Sequence, residues 1–370
     1  MPDTELIDLV PDYVRDFEPY RPTRPDSELC RFYGVDRIIR LHNNENLLGP
    51  PLAVQRMLAG YQAHDVAWYP NGDSWSLREI LARKHGKDPE QFLVGNGSCE
   101  LIGCTVKTFC QKGDNIVTAD KTFAAYEWAA TKAGVEVRMA PLHCGRYEAH
   151  ALLAAVNRRT RVIFLCNPNN PTGSYWNLAT LEAFLDALGQ RVLVVLDEAY
   201  AEFVAEPDYP DGLALLDRRP NVVVFRTFSK MYGLAGLRVG YLCGTADVVD
   251  QLRRIAIIYS VNRPAQACAA AALQDDAAHI ENTRAMVSRA RRRLEAFFAE
   301  LDLPVLSGQG NFIMARTPLP DTLLARRLLT RGVLIRTMTD FRFPNWIRIT
   351  LAPDALLDPF EAALREALRP

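Results

Sequence analysis

The residue with the clearest chemical potential is a lysine set among small hydroxyls, in the segment TFSKMYGLAGLR at residues 227–238. This segment follows an apolar run, residues 222–225, that is typical of a buried strand. Lys230 could be solvated, as most lysines are. Alternatively, its amine could condense with an aldehyde while the neighbouring hydroxyls and Arg238 hold a phosphate. Pyridoxal 5′-phosphate carries both groups, so the segment alone leaves a solvated loop and a site for that cofactor equally open.

An aspartate stands at the end of a second apolar run. Residues 192–196 are followed by Asp197 in the sequence DEAY, which ends at Tyr200. A carboxylate at the end of a buried strand is costly unless it has a partner. A protonated ring nitrogen would be such a partner, because the carboxylate would keep the ring able to take up electrons. The alternative is a cap at the start of the next helix.

Two prolines restrict the loop at residues 167–173, which has the sequence NPNNPTG. Its residue types are turn formers, so a plain loop is one interpretation. The prolines also fix the backbone around Asn169 and Asn170. A rigid amide donor would suit the phenolic oxygen of a cofactor ring, and we favour that interpretation.

Glycines precede a predicted helix in the sequence GNGSCE at residues 95–100. Free N–H groups at a helix N-terminus form an anion site, so a phosphate cup is favoured over a plain tight turn. A dinucleotide-binding loop is disfavoured, because Glu100 replaces the third glycine of that motif.

Aromatic residues and arginines supply further candidates. Phe123 and Tyr126 follow the apolar run 115–119 and could belong to the core or stack on a flat ring. Arg336 and Arg348 lie in otherwise apolar segments, where they either form structural ion pairs or bind a carboxylate or phosphate.

These candidates need a scaffold that brings them together. Apolar runs alternate with helical patterns such as residues 76–85 and 178–188, which predicts an α/β fold with a mostly parallel sheet covered on both faces. Ligands of such sheets bind at the carboxyl ends of the strands, where each candidate stands. The runs are residues 115–119, 162–166, 192–196, 222–225 and 239–243.

The pattern also predicts how the chain is divided. Closely spaced prolines make residues 1–44 look like an extended N-terminal arm. Residues 45–265 form the large domain, and residues 266–370 form a smaller α+β domain on which the arm is expected to pack. The strand candidates of the smaller domain are residues 311–316, 333–336 and 346–350.

Composition excludes several classes of function. The 370 residues carry a net charge of −1, so no basic surface for nucleic acid or a membrane is expected. The eight cysteines form no C-x-x-C pair and lack histidines at ligand spacing, so no metal site is expected. No signal peptide or membrane-spanning run is recognised, which favours a cytoplasmic protein.

Together these motifs resemble the histidinol-phosphate aminotransferase family of fold-type I pyridoxal-phosphate enzymes. The resemblance covers nearly the whole chain. It implies a fold-type I large domain with a mostly parallel seven-stranded sheet, a smaller α+β C-terminal domain and a homodimer with shared active sites. The motifs that carry it are residues 19–20, 44–46, 69–70, 97–98, 169–173, 197–200, 229–230, 238, 261–262, 311–312 and 346–350.

The resemblance also implies roles for single residues. Lys230 is similar to the Schiff-base lysine that shuttles protons, Asp197 to the partner of the pyridine nitrogen, and Tyr200 and Asn170 to the ligands of the phenolic oxygen. The residues implied to hold the cofactor's phosphate are Gly97, Ser98, Cys99, Thr227, Ser229, Arg238 and, from the neighbouring subunit, Tyr69. Phe123 is implied to stack on the ring, and Tyr20, Asn170, Arg336 and Arg348 to bind substrate.

The implied reaction is a ping-pong amino transfer between an amino acid, or histidinol phosphate, and a 2-oxo acid. Alternatives on the same fold are a decarboxylase similar to threonine-phosphate decarboxylase and an aminotransferase of a specialised secondary pathway. A cofactor-binding regulator is disfavoured, because no DNA-binding domain is recognised. A dinucleotide oxidoreductase is disfavoured by the broken glycine motif.

The chain departs from the family pattern at several positions. Cys99 replaces an acidic residue, Phe123 a tyrosine and Leu47 a proline, while Arg263 and Thr337 stand where a small residue and an aspartate are common. These changes leave the cofactor assignments intact and leave the choice of substrate open.

Overall fold

The computed structural model of the chain describes residues 6–19, 22–274 and 276–369. Within these ranges the strands form one sheet of seven strands and one of five. The strands are β1 Ile39–Leu41, β2 Phe92–Gly95, β3 Asn115–Ala119, β4 Glu136–Ala140, β5 Thr160–Cys166, β6 Leu193–Asp197, β7 Val222–Thr227, β8 Gly240–Cys243, β9 Val305–Ser307, β10 Phe312–Arg316, β11 Val333–Thr337 and β12 Trp346–Thr350.

The seven-stranded sheet has the order β2-β8-β7-β6-β5-β3-β4. Its neighbouring strands are parallel except for the two pairs that involve β8. Alternate residues of β6 enter different apolar clusters, Val194 and Leu196 on one face and Val195 on the other. Both faces are therefore covered, which explains the continuous apolar runs and confirms the predicted α/β fold class.

Helices cover the sheets and connect their strands. The predicted helix at residues 178–188 is confirmed, and it begins where Asn177 Oδ1 accepts a 2.9 Å bond from the Thr180 N–H. The helices are α1 Asp12–Arg15, α2 Asp26–Tyr33, α3 Leu52–Ala59, α4 Trp75–His85, α5 Ser98–Phe109, α6 Ala125–Lys132, α7 Ala149–Ala155, α8 Leu178–Leu188, α9 Gly212–Leu215, α10 Ala246–Ile255, α11 Arg263–Gln274, α12 Ala277–Glu300, α13 Asp321–Leu329 and α14 Asp354–Ala367.

The five-stranded sheet has the order β1-β11-β12-β10-β9, with β1 parallel to β11 and the other pairs antiparallel. Its strand β1 comes from the N-terminal 44 residues. This segment is not simply extended, because residues 26–33 form α2, which Pro25 precedes and Gly34 ends in the left-handed conformation. The domain boundaries at residues 44 and 265 stay a prediction.

Gly240 brings the carboxyl ends of β2 and β7 together. It pairs with Gly95 on one side and with Thr227 on the other. A Cβ atom at Gly240 would lie 2.9 Å from the Ser98 nitrogen and 3.0 Å from the Arg226 carbonyl oxygen. Because Gly240 has no side chain, the start of α5 packs directly against the end of β7.

Candidate active site

A cavity of about 450 Å³ opens at the carboxyl edge of the seven-stranded sheet, where the five-stranded sheet faces it. Most residues that the sequence singles out meet there. Those that line it are Ser98, Cys99, Phe123, Asn170, Asp197, Tyr200, Thr227, Ser229, Lys230, Arg238, Arg336 and Arg348.

The start of α5 and the loop after β7 form a cup for an anion. The first N–H groups of α5 have no acceptor within the helix and face this end of the cavity. Arg238 Nη1 lies 3.4 Å from Ser229 Oγ, and Thr227 Oγ1 accepts a 3.1 Å bond from the Ser229 N–H. Gly97 has φ of 74°, and a Cβ atom there would collide with the Arg238 guanidinium. The cup thus combines a cation, amides and hydroxyls, which suits a phosphate.

Asp197 ends β6 with its side chain 1% exposed. Its Oδ2 accepts a 2.6 Å bond from Tyr126 Oη, and its Oδ1 accepts a 3.1 Å bond from the Ala199 N–H. Burial raises the pKa of the carboxyl, and these two bonds oppose that shift. No lysine or arginine of the described residues forms an ion pair with Asp197, so a ligand cation in the cavity would lower the energy of its charged form.

Tyr200 and Asn170 both line the cavity. Tyr200 Oη accepts a 3.0 Å bond from Asn44 Nδ2, and burial raises the pKa of this phenol. Asn170 stands between Pro168 and Pro171 in the chain, and its Oδ1 accepts a 2.5 Å bond from Arg348 Nη1. Both side chains are fixed and can orient an oxygen on a planar ring.

Lys230 Nζ donates a 2.8 Å bond to the Asn43 carbonyl oxygen and lies 5.8 Å from the centre of the Tyr200 ring. Desolvation, and then the charge of Arg348, lower the pKa of its amine from 10.5 to about 8. The amine is therefore a far better nucleophile and base near neutral pH than an ordinary lysine.

The two arginines of the five-stranded sheet face each other across β11 and β12, where Arg336 pairs with Arg348 in the antiparallel register. Arg348 is 5% exposed, and its Nη2 donates a 2.9 Å bond to the His42 carbonyl oxygen. The Phe341 ring lies near both guanidiniums, 5.4 Å from that of Arg336 and 5.9 Å from that of Arg348. Phe123 lines the opposite wall and contacts Tyr126 edge to face at 5.7 Å.

Some predicted residues do not line the cavity of their own chain. Tyr69 is 81% exposed and packs at 4.9 Å against Tyr259. Arg263 lies outside the cavity, with its guanidinium 3.6 Å from Asp65. Gly97 adjoins the cup without lining the cavity, and Tyr20 lies outside the described residues.

Several site residues received no role from the sequence. Asn43 and Asn44 hold Lys230 and Tyr200, Tyr126 bonds to Asp197, and Trp128 and Phe341 line the wall. The NEN sequence at residues 44–46 is the feature that could have indicated a role for Asn44 in the site. For Tyr126 the signal was weaker, because the sequence left open whether it belongs to the core or stacks on a flat ring.

Within the described ranges no group of three or more histidine, cysteine, aspartate or glutamate side chains is placed to hold a metal ion. None of the helices described is both long and apolar enough to cross a bilayer.

Comparisons with known proteins agree with this geometry. Residues 36–363 match the family model described as aminotransferase class I and II. A histidinol-phosphate aminotransferase of Anaeromyxobacter sp. (strain Fw109-5) is 44% identical over 347 residues, 93% of this chain and 94% of that one. A histidinol-phosphate aminotransferase of Moorella thermoacetica is 39% identical over 99% of this chain and 95% of its own length.

A solved structure is also similar. The crystal structure of histidinol-phosphate aminotransferase from Sinorhizobium meliloti, in complex with pyridoxal-5'-phosphate, superposes with a TM-score of 0.86. It is 30% identical in sequence, and the match covers 98% of both chains.

Proposed function

This chain belongs to the class I and II aminotransferase family and is a pyridoxal-phosphate-dependent aminotransferase, and we propose that its amino substrate is histidinol phosphate, whose amino group it transfers to a 2-oxo acid. The observation that carries the choice of amino substrate is the pairing of Arg336 with Arg348 at one end of the cavity. The roles assigned below to single residues belong to the same proposal.

The cavity fits this cofactor in three places. The cup of α5 amides, Ser229 and Arg238 fits the phosphate, and the lack of a side chain at Gly97 leaves it open. Buried Asp197 needs a cation, which a protonated pyridine nitrogen supplies. Lys230 lines the same cavity, and its lowered pKa makes its amine easier to deprotonate than that of an ordinary lysine.

Bound there, pyridoxal 5′-phosphate supplies an aldehyde that condenses with amines and a ring that takes up electron density. Lys230 would hold the cofactor through its amine. Lys230 Nζ would also move a proton from the amine-bearing carbon of the substrate to the aldehyde-derived carbon of the cofactor, as general base and then general acid. Asp197 would keep the ring nitrogen protonated, while Tyr200 and Asn170 would orient the ring through its phenolic oxygen.

The paired arginines select the substrate's anion. Two guanidiniums on neighbouring strands repel each other, and a phosphate carrying nearly two charges satisfies both better than a carboxylate carrying one. Histidinol phosphate has a phosphate and no carboxylate, so these arginines would hold it by that group.

The proposal includes a homodimer with shared active sites. An exposed apolar strip, formed by Trp68, Tyr69, Ile257, Ile258 and Tyr259, leaves Tyr69 81% and Ile257 68% exposed. A strip of this kind favours an interface with a second copy, into whose cavity Tyr69 would reach. A one-chain mass in sedimentation at micromolar concentration would contradict this part.

A cytoplasmic location is also part of the proposal, since the substrates named are small metabolites. Recovery of the native protein in a secreted or membrane fraction would contradict it.

The amino substrate is tested by supplying the cofactor-loaded protein with histidinol phosphate or with histidinol, which lacks the phosphate. We expect kcat/KM for amino transfer to fall about 100-fold or more without the phosphate, since two charged hydrogen-bonded contacts are lost. Equal rates would contradict the choice of substrate. Release of carbon dioxide from an amino acid, without a 2-oxo product, would instead favour the decarboxylase alternative.

A further inference from the structure

We propose that Phe341 is a specificity-determining residue, whose ring holds the guanidiniums of Arg336 and Arg348 side by side so that together they bind one doubly charged phosphate. This inference rests on the proposed function and deepens it. It assigns the preference for phosphate over carboxylate to an aromatic residue that carries no charge.

Two arginines stand side by side on neighbouring strands of the five-stranded sheet. Arg336 and Arg348 are direct cross-strand partners, and like charges in that position repel each other. Arg348 donates bonds to two neutral oxygens, Asn170 Oδ1 and the His42 carbonyl oxygen. These bonds fix the position of Arg348.

The Phe341 ring is common to both arginines. Its centre lies 5.4 Å from the Arg336 guanidinium and 5.9 Å from that of Arg348, within range of a cation–π contact for each. The Phe312 ring contacts Arg348 as well, at 5.4 Å, whereas the Phe341 ring contacts both arginines. One ring attracted to two cations offsets part of their repulsion and fixes the gap between them.

A buried carboxylate fixes the ring in turn. Phe341 ends a short turn, Thr339–Phe341, that follows β11. Asp321 is 1% exposed and accepts 2.8 Å and 2.9 Å bonds from the N–H groups of Met338 and Thr339. It also accepts a 2.6 Å bond from the Thr339 hydroxyl. The turn is therefore rigid, and Phe341 enters the cavity wall from a defined position.

The consequence is selectivity between anions. With the guanidiniums held together, a phosphate can accept bonds from both at once, while a carboxylate can neutralise only one. Without the ring, an attraction shared by both guanidiniums would be lost, and binding one phosphate between them would become less favourable. Phe341 therefore governs the preference for phosphate more than the strength of anion binding in general.

The test measures anion affinity by calorimetry in cofactor-loaded protein, whose cup is filled, with inorganic phosphate and acetate as probes. We compare the unchanged protein with Phe341→Leu and Phe341→Tyr. The matched control is Phe343→Leu, since Phe343 stands two residues on and packs against Trp346 at 6.2 Å outside the cavity. We expect Phe341→Leu to lower the preference for phosphate over acetate about tenfold, the size of a lost cation–π contact. Phe341→Tyr keeps an aromatic face and should keep the preference, as should Phe343→Leu.

An unchanged preference in Phe341→Leu would overturn the inference. So would an equal loss in Phe341→Leu and Phe341→Tyr, because the ring face would then not be the cause; this contrast also covers a leucine variant that folds poorly. If the unchanged protein prefers phosphate but does not transfer the amino group of histidinol phosphate, the proposed function fails and the role of Phe341 stands.

Discussion

Tyr126 Oη donates a 2.6 Å hydrogen bond to Asp197 Oδ2, and both groups are buried beneath the cavity. The Tyr126 ring also stacks on Phe164 at 4.8 Å and contacts Phe123 edge to face. One tyrosine thus contacts both Asp197, which we propose faces the ring nitrogen of the cofactor, and Phe123, which we propose stacks on the ring.

We expect Tyr126→Phe to weaken cofactor binding, because Asp197 loses a donor that stabilises its charged form. The buried oxygen left unpaired should also lower the free energy of unfolding by about 1–3 kcal/mol. Urea unfolding and a fluorescence titration with pyridoxal 5′-phosphate measure the two effects. Tyr241→Phe is the control, since Tyr241 is also buried and its hydroxyl bonds to His85 at 3.0 Å. Equal cofactor affinities in the two variants would contradict the role of Tyr126.

The shape of the phosphate cup predicts different effects for two glycines next to and within α5. Gly97→Ala should reduce cofactor affinity more than about tenfold, because its φ of 74° disfavours a side chain and the new Cβ would displace Arg238. Gly103→Ala is the control, since nothing lies within 4 Å of a Cβ there and alanine favours a helix. If both variants bind the cofactor as the unchanged protein does, the cup does not hold the phosphate.

The lowered pKa of Lys230 predicts how cofactor attachment depends on pH. The neutral amine is the reactive form, so the rate should rise as pH increases from 7 to 9 and level off above the pKa of about 8. An ordinary lysine would be less than about 1% neutral at pH 8. Stopped-flow absorbance of cofactor-free protein mixed with pyridoxal 5′-phosphate gives this profile. A rate still rising steeply between pH 9 and 10 would contradict the shift.

Acid should destabilise the protein partly through His42. The side chain is 1% exposed, and desolvation, with the charges of Arg40, Arg336 and Arg348, lowers its pKa from 6.5 to about 4. Between pH 6.5 and pH 4, His42 is therefore protonated in the unfolded chain but mostly neutral in the folded chain. The stability contributed by the neutral ring is present above pH 6.5 and is lost as pH falls from 6.5 toward 4, by about 3 kcal/mol.

His42→Leu should remove this part of the pH dependence, since neither ring nitrogen of His42 has a hydrogen-bond partner among the described residues. Some dependence should remain, because the pKa of His85 is also lowered to about 4. Urea unfolding at pH 7 and pH 5 measures the difference. His64→Gln is the control on an exposed histidine, and identical slopes for both variants would refute the prediction.

The sequence predicts those parts of the site whose functional residues come soon after a predicted strand. Asp197, Lys230 and the loop at residues 167–173 each come directly after an apolar run, and parallel strands bring such ends to one edge of the sheet. Local pattern therefore predicts the fold class and the floor of the cavity.

Contacts between distant segments are not encoded in local pattern. The Asn43 carbonyl that accepts the Lys230 bond lies 187 residues away in the chain. Strand β1 has only three residues, which is too short a pattern to predict its pairing with β11. In the sequence Phe341 looks like an ordinary apolar residue, because its contacts with Arg336 and Arg348 form only when β11 and β12 bring those arginines together. The role proposed for Tyr69 requires a second copy of the chain, so the position of Tyr69 relative to the cavity cannot be predicted from local sequence pattern.

The claim that Lys230 carries the cofactor in this cavity has a direct measurement. Cofactor-loaded protein is reduced with borohydride and digested, and the pyridoxyl label is located by mass spectrometry. We predict one label, on the peptide containing Lys230, and its loss together with amino transfer in Lys230→Ala. A label on another lysine, or full amino transfer by Lys230→Ala, would contradict the account.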